Sequence, residues 1–178
     1  QVTENNYIMH NNLGNALREN NQAEEAIFHY RRALQINPGH ANAYINLGNM
    51  FIEAGQRDAA VAQYRRALQI DPDNPDAHYN LGNALLEAGR WEEAIVHYRR
   101  ALQIHPDHAE THNNLGLALS KTGQWDQAIT QYRRALQIDP DHAEAHSNLR
   151  NALKQMDRLE EAIVQYRRVL QIDPNDVK

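Results

Sequence analysis

A nine-residue stretch, Tyr98-Arg99-Arg100-Ala101-Leu102-Gln103-Ile104-His105-Pro106, recurs with small changes five times, beginning at Tyr30, Tyr64, Tyr98, Tyr132 and Tyr166. Each tyrosine stands 34 residues after the previous one, and Pro38, Pro72, Pro106, Pro140 and Pro174 keep the same step without insertion or deletion. A fixed period of this length constrains the fold more than any other feature of the chain. Its units must stack in a line, each touching its neighbours, instead of wrapping round one centre.

Within the third unit, His78, Leu81, Gly82 and Leu85 fall at i, i+3, i+4 and i+7, one face of a helix (helix A). Ala94, Ile95, Tyr98, Ala101 and Leu102 make a second stripe at i, i+1, i+4, i+7 and i+8 (helix B). Gly55, Gly89 and Gly123 stand where helix A should end, as left-handed C-terminal residues. Acidic pairs such as Glu92-Glu93 open helix B, arginine pairs lie towards its other end, and proline stops it. Asp107 with Glu110, and Asp141 with Glu144, have the spacing of capping boxes for the next helix A. The expected division is a lead-in at 1–6, units at 7–40, 41–74, 75–108, 109–142 and 143–176, and a tail at 177–178. One such unit buries too few apolar side chains to order itself, so stacking must supply the remainder. Gly14, Gly48, Gly82 and Gly116 on helix A, with Ala26, Ala60, Ala94, Ala128 and Ala162 on helix B, mark where helices should approach most closely.

The typed positions His112, Leu115, Gly116, Leu119, Ala128, Tyr132, Ala135 and Pro140 make the chain resemble the tetratricopeptide repeat family over residues 7 to 174. The resemblance implies an all-α fold, a right-handed α-solenoid of five 34-residue helix-turn-helix repeats. Two departures stand out. Histidine occupies the usual large apolar slot in four units (His10, His78, His112, His146), and the last unit has Arg150 for glycine and Val169 for alanine.

In that family the face of helix A opposite its buried stripe lines a concave groove where peptides bind. Counted from Tyr7, Ala41, Pro75, Ala109 and Ala143, the sixth position here is Asn12, Asn46, Asn80, Asn114 and Asn148. The ninth is Asn15, Asn49, Asn83, Leu117 and Asn151, while the fifth varies through Asn11, Ile45, Tyr79, Asn113 and Ser147. Asparagine inside a helix costs about 0.5 kcal/mol against alanine, so the columns need an offset. Each amide offers a donor and an acceptor to the backbone of an extended peptide. Asn12, Asn15, Asn46, Asn49, Tyr79, Asn80, Asn83, Asn113, Asn114, Asn148 and Asn151 are therefore the candidate peptide-binding residues. The alternative is that the amides bond between neighbouring repeats. The sixth-position column resembles the asparagine ladder of the substrate-binding superhelix in O-linked N-acetylglucosamine transferases. That resemblance keeps a second reading open, a substrate-recruiting segment of a larger glycosyltransferase.

Tetratricopeptide domains that hold the acidic tails of heat-shock chaperones use Lys and Arg on this face. The second, fifth and sixth positions here contain neither, and Glu19, Glu53, Glu87, Asp76, Glu110 and Glu144 make the groove edge acidic. Neutral or basic Ser/Thr-containing segments are the expected ligands.

Other chemistries find little support. His108 with His112 and His142 with His146 have the i, i+4 spacing of a metal pair, but no third ligand is evident, and no cofactor is expected. The net charge of −5 argues against general nucleic-acid affinity, and acidic neighbours can neutralise the recurring arginine pairs. There is no phosphate loop, nucleophile elbow or isolated carboxylate pair, so no enzymatic role is expected. Without cysteine, thiolate metal sites and thiol catalysis are excluded. No apolar run reaches membrane-spanning length and no signal peptide opens the chain, so a soluble, cytoplasmic protein is expected, although a chain starting at Gln1 has the look of a fragment. No polar helix follows Pro174 to cover the last repeat, which leaves end-to-end self-association as a structural alternative, with Ile163, Tyr166 and Leu170 meeting Tyr7 and Ile8 of another molecule.

Overall fold

The computed structural model describes residues 6–172, apart from the side chains of Tyr166, Leu170 and Ile172. Pro174, the 177–178 tail, most of the 1–6 lead-in and the proposed Tyr166 and Leu170 contacts lie outside the described residues.

Ten α-helices alternate as A and B members of five pairs among the described residues: α1 (Tyr7–Glu19) with α2 (Ala23–Ile36), α3 (Ala41–Glu53) with α4 (Arg57–Ile70), α5 (Pro75–Glu87) with α6 (Trp91–Ile104), α7 (Ala109–Lys121) with α8 (Trp125–Ile138), and α9 (Ala143–Gln155) with α10 (Leu159–Ile172). The chain divides into two units within α5, one ending at Ala84 and the other beginning at Leu85.

Every A helix ends in one way. A residue with positive φ follows it: Gly55 (φ 71°), Gly89 (φ 73°) and Gly123 (φ 77°), with Asn21 (φ 59°) and Asp157 (φ 56°) taking the role in the outer repeats. The next N–H then reaches back to a carbonyl in the last turn, Gln22 to Leu17 at 2.8 Å, Gln56 to Phe51 at 2.8 Å, Arg90 to Leu85 at 2.9 Å, Gln124 to Leu119 at 2.9 Å and Arg158 to Leu153 at 2.9 Å. This is the Schellman closure, which satisfies an orphan carbonyl and aims helix B back along helix A.

The capping boxes expected at Asp107 and Asp141 do not form. The N-cap residues are one position later, His108 and His142. His108 Nδ1 accepts the Thr111 N–H at 3.2 Å, and the two aspartates instead accept from arginines on the following B helix, Arg134 to Asp107 Oδ1 at 2.8 Å and Arg168 to Asp141 Oδ1 at 2.9 Å. Spacing alone did not separate a cap from a pairing with the next repeat, because one residue of offset exchanges the two roles. Asparagine does cap elsewhere: Asn6 Oδ1 accepts from Met9 at 3.1 Å and Asn74 Oδ1 from Ala77 at 3.0 Å.

In the first unit, α1 packs on α2 and α3 on α4, and α2 packs on α3. Ala26, Tyr30, Leu47 and Met50 form a buried cluster with Leu17, Ile27, Leu34 and Phe51 against it. Tyr30 lies flat against Gly14, where a Cβ would sit 2.6 Å from its Cε1, and Tyr64 lies likewise against Gly48 at 2.5 Å. In the second unit α6, α7, α8, α9 and α10 pack in chain order from α6·α7 to α9·α10. Tyr132 meets Gly116 at 2.6 Å by the same measure, and Leu115, Leu119, Ile129, Leu149, Leu153 and Val169 are buried there. Glycine on helix A is the space that the helix B tyrosine fills.

Candidate functional site

The candidate surface is the polar face of the A helices, and the register of the tyrosines decides what its asparagines do. The Tyr30 hydroxyl donates to Asn15 Oδ1 at 2.9 Å and the Tyr64 hydroxyl to Asn49 Oδ1 at 2.7 Å. Asn15 and Asn49 therefore receive the phenol of their own repeat's helix B. Repeat four has Leu117 at that place, and there Tyr132 bonds Ser120, one turn further along α7. Burial drives the Tyr132 hydroxyl up to about 12, against the smaller downward pull of that bond. It stays protonated and able to donate at any physiological pH.

Two of the sixth-position asparagines, Asn46 and Asn148, reach back one repeat. Asn46 Nδ2 donates to Asn11 Oδ1 at 3.0 Å and to Asn15 Oδ1 at 3.0 Å. Asn148 Nδ2 donates to Asn113 Oδ1 at 2.9 Å, and Asn113 Nδ2 in turn donates to Asn114 Oδ1 at 3.3 Å. Asn113 is 1% exposed and Asn11 is also buried. Asn46, Asn49, Asn80, Asn83, Asn114, Asn148, Asn15 and Tyr79 are half-buried, while Asn12 and Asn151 are exposed. Asn11, Asn15 and Asn113 thus lie beneath the amides of Asn46 and Asn148 that donate to them.

These inter-repeat amide bonds are the alternative that the sequence left open, whereas sequence reasoning missed the job of the histidines. The slot that departs from the family pattern holds hydrogen-bonded rings: His78, His112 and His146 place Nε2 at 3.0, 2.9 and 2.9 Å from the carbonyls of Pro72, Pro106 and Pro140 in the preceding repeat. His112 and His146 place Nδ1 at 2.8 and 2.7 Å from Gln131 and Gln165 on helix B. The recurrence of Gln or His nineteen residues after each of these histidines was the available signal. In the first repeat both partners are histidine, His10 and His29, with their Nδ1 atoms 2.9 Å apart. The i, i+4 pairs do not converge on an ion, since His108 bonds Thr111 and His142 bonds Glu110 at 3.0 Å. Among the described residues no group of three or more His, Cys, Asp or Glu is placed to hold a metal, and no helix is long and apolar enough to cross a membrane.

The charged edge is partly paired. Arg18 Nε reaches Glu53 at 2.8 Å across adjacent A helices. On the B helices, Arg133 reaches Glu161 of the next repeat at 2.6 Å and Arg99 reaches Gln127 at 3.1 Å.

The sequence pattern of the TPR repeat matches residues 14–51 and 48–89, and that of the tetratricopeptide repeat matches 74–141 and 107–175. The chain belongs to the tetratricopeptide repeat family. Solved tetratricopeptide structures superpose on it along nearly the whole length. YrrB, described as a TPR protein with an unusual peptide-binding site, is 25% identical with a TM-score of 0.87, covering 98% of this chain and 90% of its own. PilF of Pseudomonas aeruginosa is 25% identical with a TM-score of 0.83, covering 93% of this chain and 76% of its own. MamA of Desulfovibrio magneticus RS-1 is 19% identical with a TM-score of 0.88, covering 97% of both chains, a likeness of fold alone. No curated protein matches.

Proposed function

We propose that this tetratricopeptide chain is a non-catalytic interaction scaffold that takes an extended peptide along the polar faces of its A helices, through sixth-position asparagines. The carrying observation is the orientation of Asn46. Both of its amide hydrogens are committed to Asn11 and Asn15 in the previous repeat, which leaves Oδ1 as its group for a ligand. Asn148, turned the same way by Asn113, keeps its own Oδ1. An amide carbonyl fixed in advance in this way, in each unit, suits the N–H groups of an extended backbone, which carry no side-chain information, and the fixed orientation lowers the entropy lost on binding. Adjacent helices lie about 8–10 Å apart and an extended chain advances about 3.3 Å per residue, so each repeat would meet roughly every third peptide residue. A fold match to YrrB, itself described as having a peptide-binding site, is in keeping with this reading.

Asn12 and Asn80 make the test clean. Neither side chain takes part in the inter-repeat bonds that hold Asn46 and Asn148. An array of short unrelated peptides is probed with the wild type and with Asn12→Ala/Asn80→Ala, alongside urea unfolding of both. Loss of many peptides together at an unchanged or slightly raised midpoint is the expected result. Binding that the double variant retains in full, or a wild type that captures no peptide, would remove the reading.

A further inference from the structure

Asn46 and Asn148 hold the same place in their repeats, yet their amides are not equally committed. Asn46 Nδ2 donates to Asn11 Oδ1 and to Asn15 Oδ1, both at 3.0 Å, so both of its hydrogens are used. Asn148 Nδ2 makes the first of these bonds, to Asn113 Oδ1 at 2.9 Å, and not the second. The residue that stands to Asn148 as Asn15 stands to Asn46, 31 positions earlier, is Leu117. Leucine has no acceptor, and the second Nδ2 hydrogen of Asn148 has no partner among the described residues.

The groups round Leu117 are rearranged to suit it. Tyr30 and Tyr64 give their hydroxyls to Asn15 and Asn49, whereas Tyr132 bonds Ser120. Ser120 Oγ donates in turn to the Leu117 carbonyl at 2.8 Å. The exchange of asparagine for leucine therefore strands neither the phenol nor the hydroxyl. It sets a half-buried aliphatic side chain among the asparagines of the polar face, beside a half-buried amide with a hydrogen to give.

We propose, building on the peptide-scaffold reading, that Leu117 and Asn148 form the residue-selective position of the peptide path and that the residue they select is aliphatic. In an extended strand the N–H and C=O of one residue point to the same side, so one side-chain amide can bond both. Asn148 presents the donor and the acceptor that this needs. Asn46, with both hydrogens used, accepts from an N–H alone. The peptide residue held by both groups of Asn148 is fixed in register beside Leu117, where an aliphatic side chain takes apolar surface out of water on both partners. Serine at that point gains nothing from the leucine. Glu144 is exposed one turn before Asn148 on α9, which disfavours an acidic residue there.

The test compares two fluorescently labelled peptides of serine, threonine and lysine, identical except for a central leucine or a central serine, by anisotropy titration of the 178-residue chain. The wild type is expected to bind the leucine peptide about tenfold tighter than the serine peptide. Leu117→Asn rebuilds the arrangement that joins Asn15 to Tyr30 and Asn46, so it should keep wild-type helicity by circular dichroism and bring the ratio close to one. Leu117→Ala trims the apolar surface without supplying an acceptor, and should lower the ratio part-way. Asn12→Ala/Asn80→Ala should weaken both peptides and leave the ratio unchanged. A wild type that binds both peptides equally, or a tenfold ratio that survives in Leu117→Asn and Leu117→Ala, would overturn the selection while leaving the scaffold in place. A wild type that binds neither peptide would remove the scaffold reading and this proposal with it.

Discussion

Asn148 Nδ2 donates to Asn113 Oδ1 at 2.9 Å, tying α9 to α7 through a side chain that is 1% exposed. Removing the donor leaves a buried carbonyl short of its partner, a loss of about 1–3 kcal/mol. Asn148→Ala should therefore lower the stability of the second unit by that order. Asn12→Ala, on an exposed face, should stay within about 0.5 kcal/mol of the wild type and lean towards stabilisation through helix propensity. Urea unfolding of the two variants checks the contrast, and equal effects would refute the distinction between a sixth-position asparagine that bonds the previous repeat and one on the exposed face.

Gly116 faces the Tyr132 ring so closely that a methyl group would sit 2.6 Å from Cε1. Tyr132 is itself buried and cannot retreat without opening the α7/α8 contact. Gly116→Ala should lower stability by about 1–3 kcal/mol through overpacking. Gly123→Ala meets no neighbouring atom but must hold φ near 77°. It should lose about 1 kcal/mol for a purely backbone reason. Shortening the ring with Gly116→Ala/Tyr132→Leu should recover part of the first loss and none of the second, as thermal unfolding would show.

The alternation of A and B helices was legible because the stripes, glycines and prolines each repeat at one step, so weak local signals reinforce one another five times. Side-chain partners were less legible. Asn15 and Asn46 look alike in a column of letters, yet one accepts a phenol of its own repeat and the other reaches back a repeat. That difference depends on where Tyr30 lies across Gly14, a distance set by packing. The same holds for Asp107, whose spacing to Glu110 suits a cap but whose carboxylate faces Arg134. Asn21 and Asp157 took the left-handed position without glycine because short polar side chains tolerate it, so the glycine signal was silent in the first and last repeats.

His40 precedes α3 at its N-cap position but makes no capping bond, and its Nε2 is buried without a partner while the ring packs edge-on to Tyr7 at 5.0 Å. Asn74, at the same place before α5, does cap. His40→Asn should add that bond and remove the orphan nitrogen, raising stability by about 1 kcal/mol. Calorimetry showing a fall instead would mean that the Tyr7 contact outweighs the cap.

Burial holds the His29 ring below the usual histidine value, the charge of His10 pushes it the same way, and Glu25 acts in opposition. Burial also lowers His40. A group with a depressed folded pKa contributes stability above its unfolded value of about 6.5 and loses it as pH falls through the folded one. The first unit should thus weaken as pH falls below about 6.5. Gln131 and Gln165 occupy the His29 position in later repeats and bond the neighbouring histidine. His29→Gln should keep that bond and flatten the dip in melting temperature, and His29→Gln/His40→Asn should flatten it further. Unaltered pH profiles in both variants would place the titration elsewhere.

The carboxylates beside the polar face set the last expectation. Glu19, Asp76 and Glu144 are exposed, and although Glu53 is matched by Arg18, no lysine or arginine occupies the second, fifth or sixth positions of any repeat. A peptide ending in Glu-Glu-Val-Asp would bring its charges beside these carboxylates, with no lysine or arginine at those three positions to receive them. It should bind several-fold more weakly than the same peptide with Lys replacing its acidic residues, a difference of about 1 kcal/mol. Because these charges are solvated, the gap should narrow as ionic strength rises and the Debye length falls below about 10 Å. Fluorescence anisotropy of the two labelled peptides at low and high salt measures both effects. Equal or tighter binding of the acidic peptide would show that the ligand path avoids this edge.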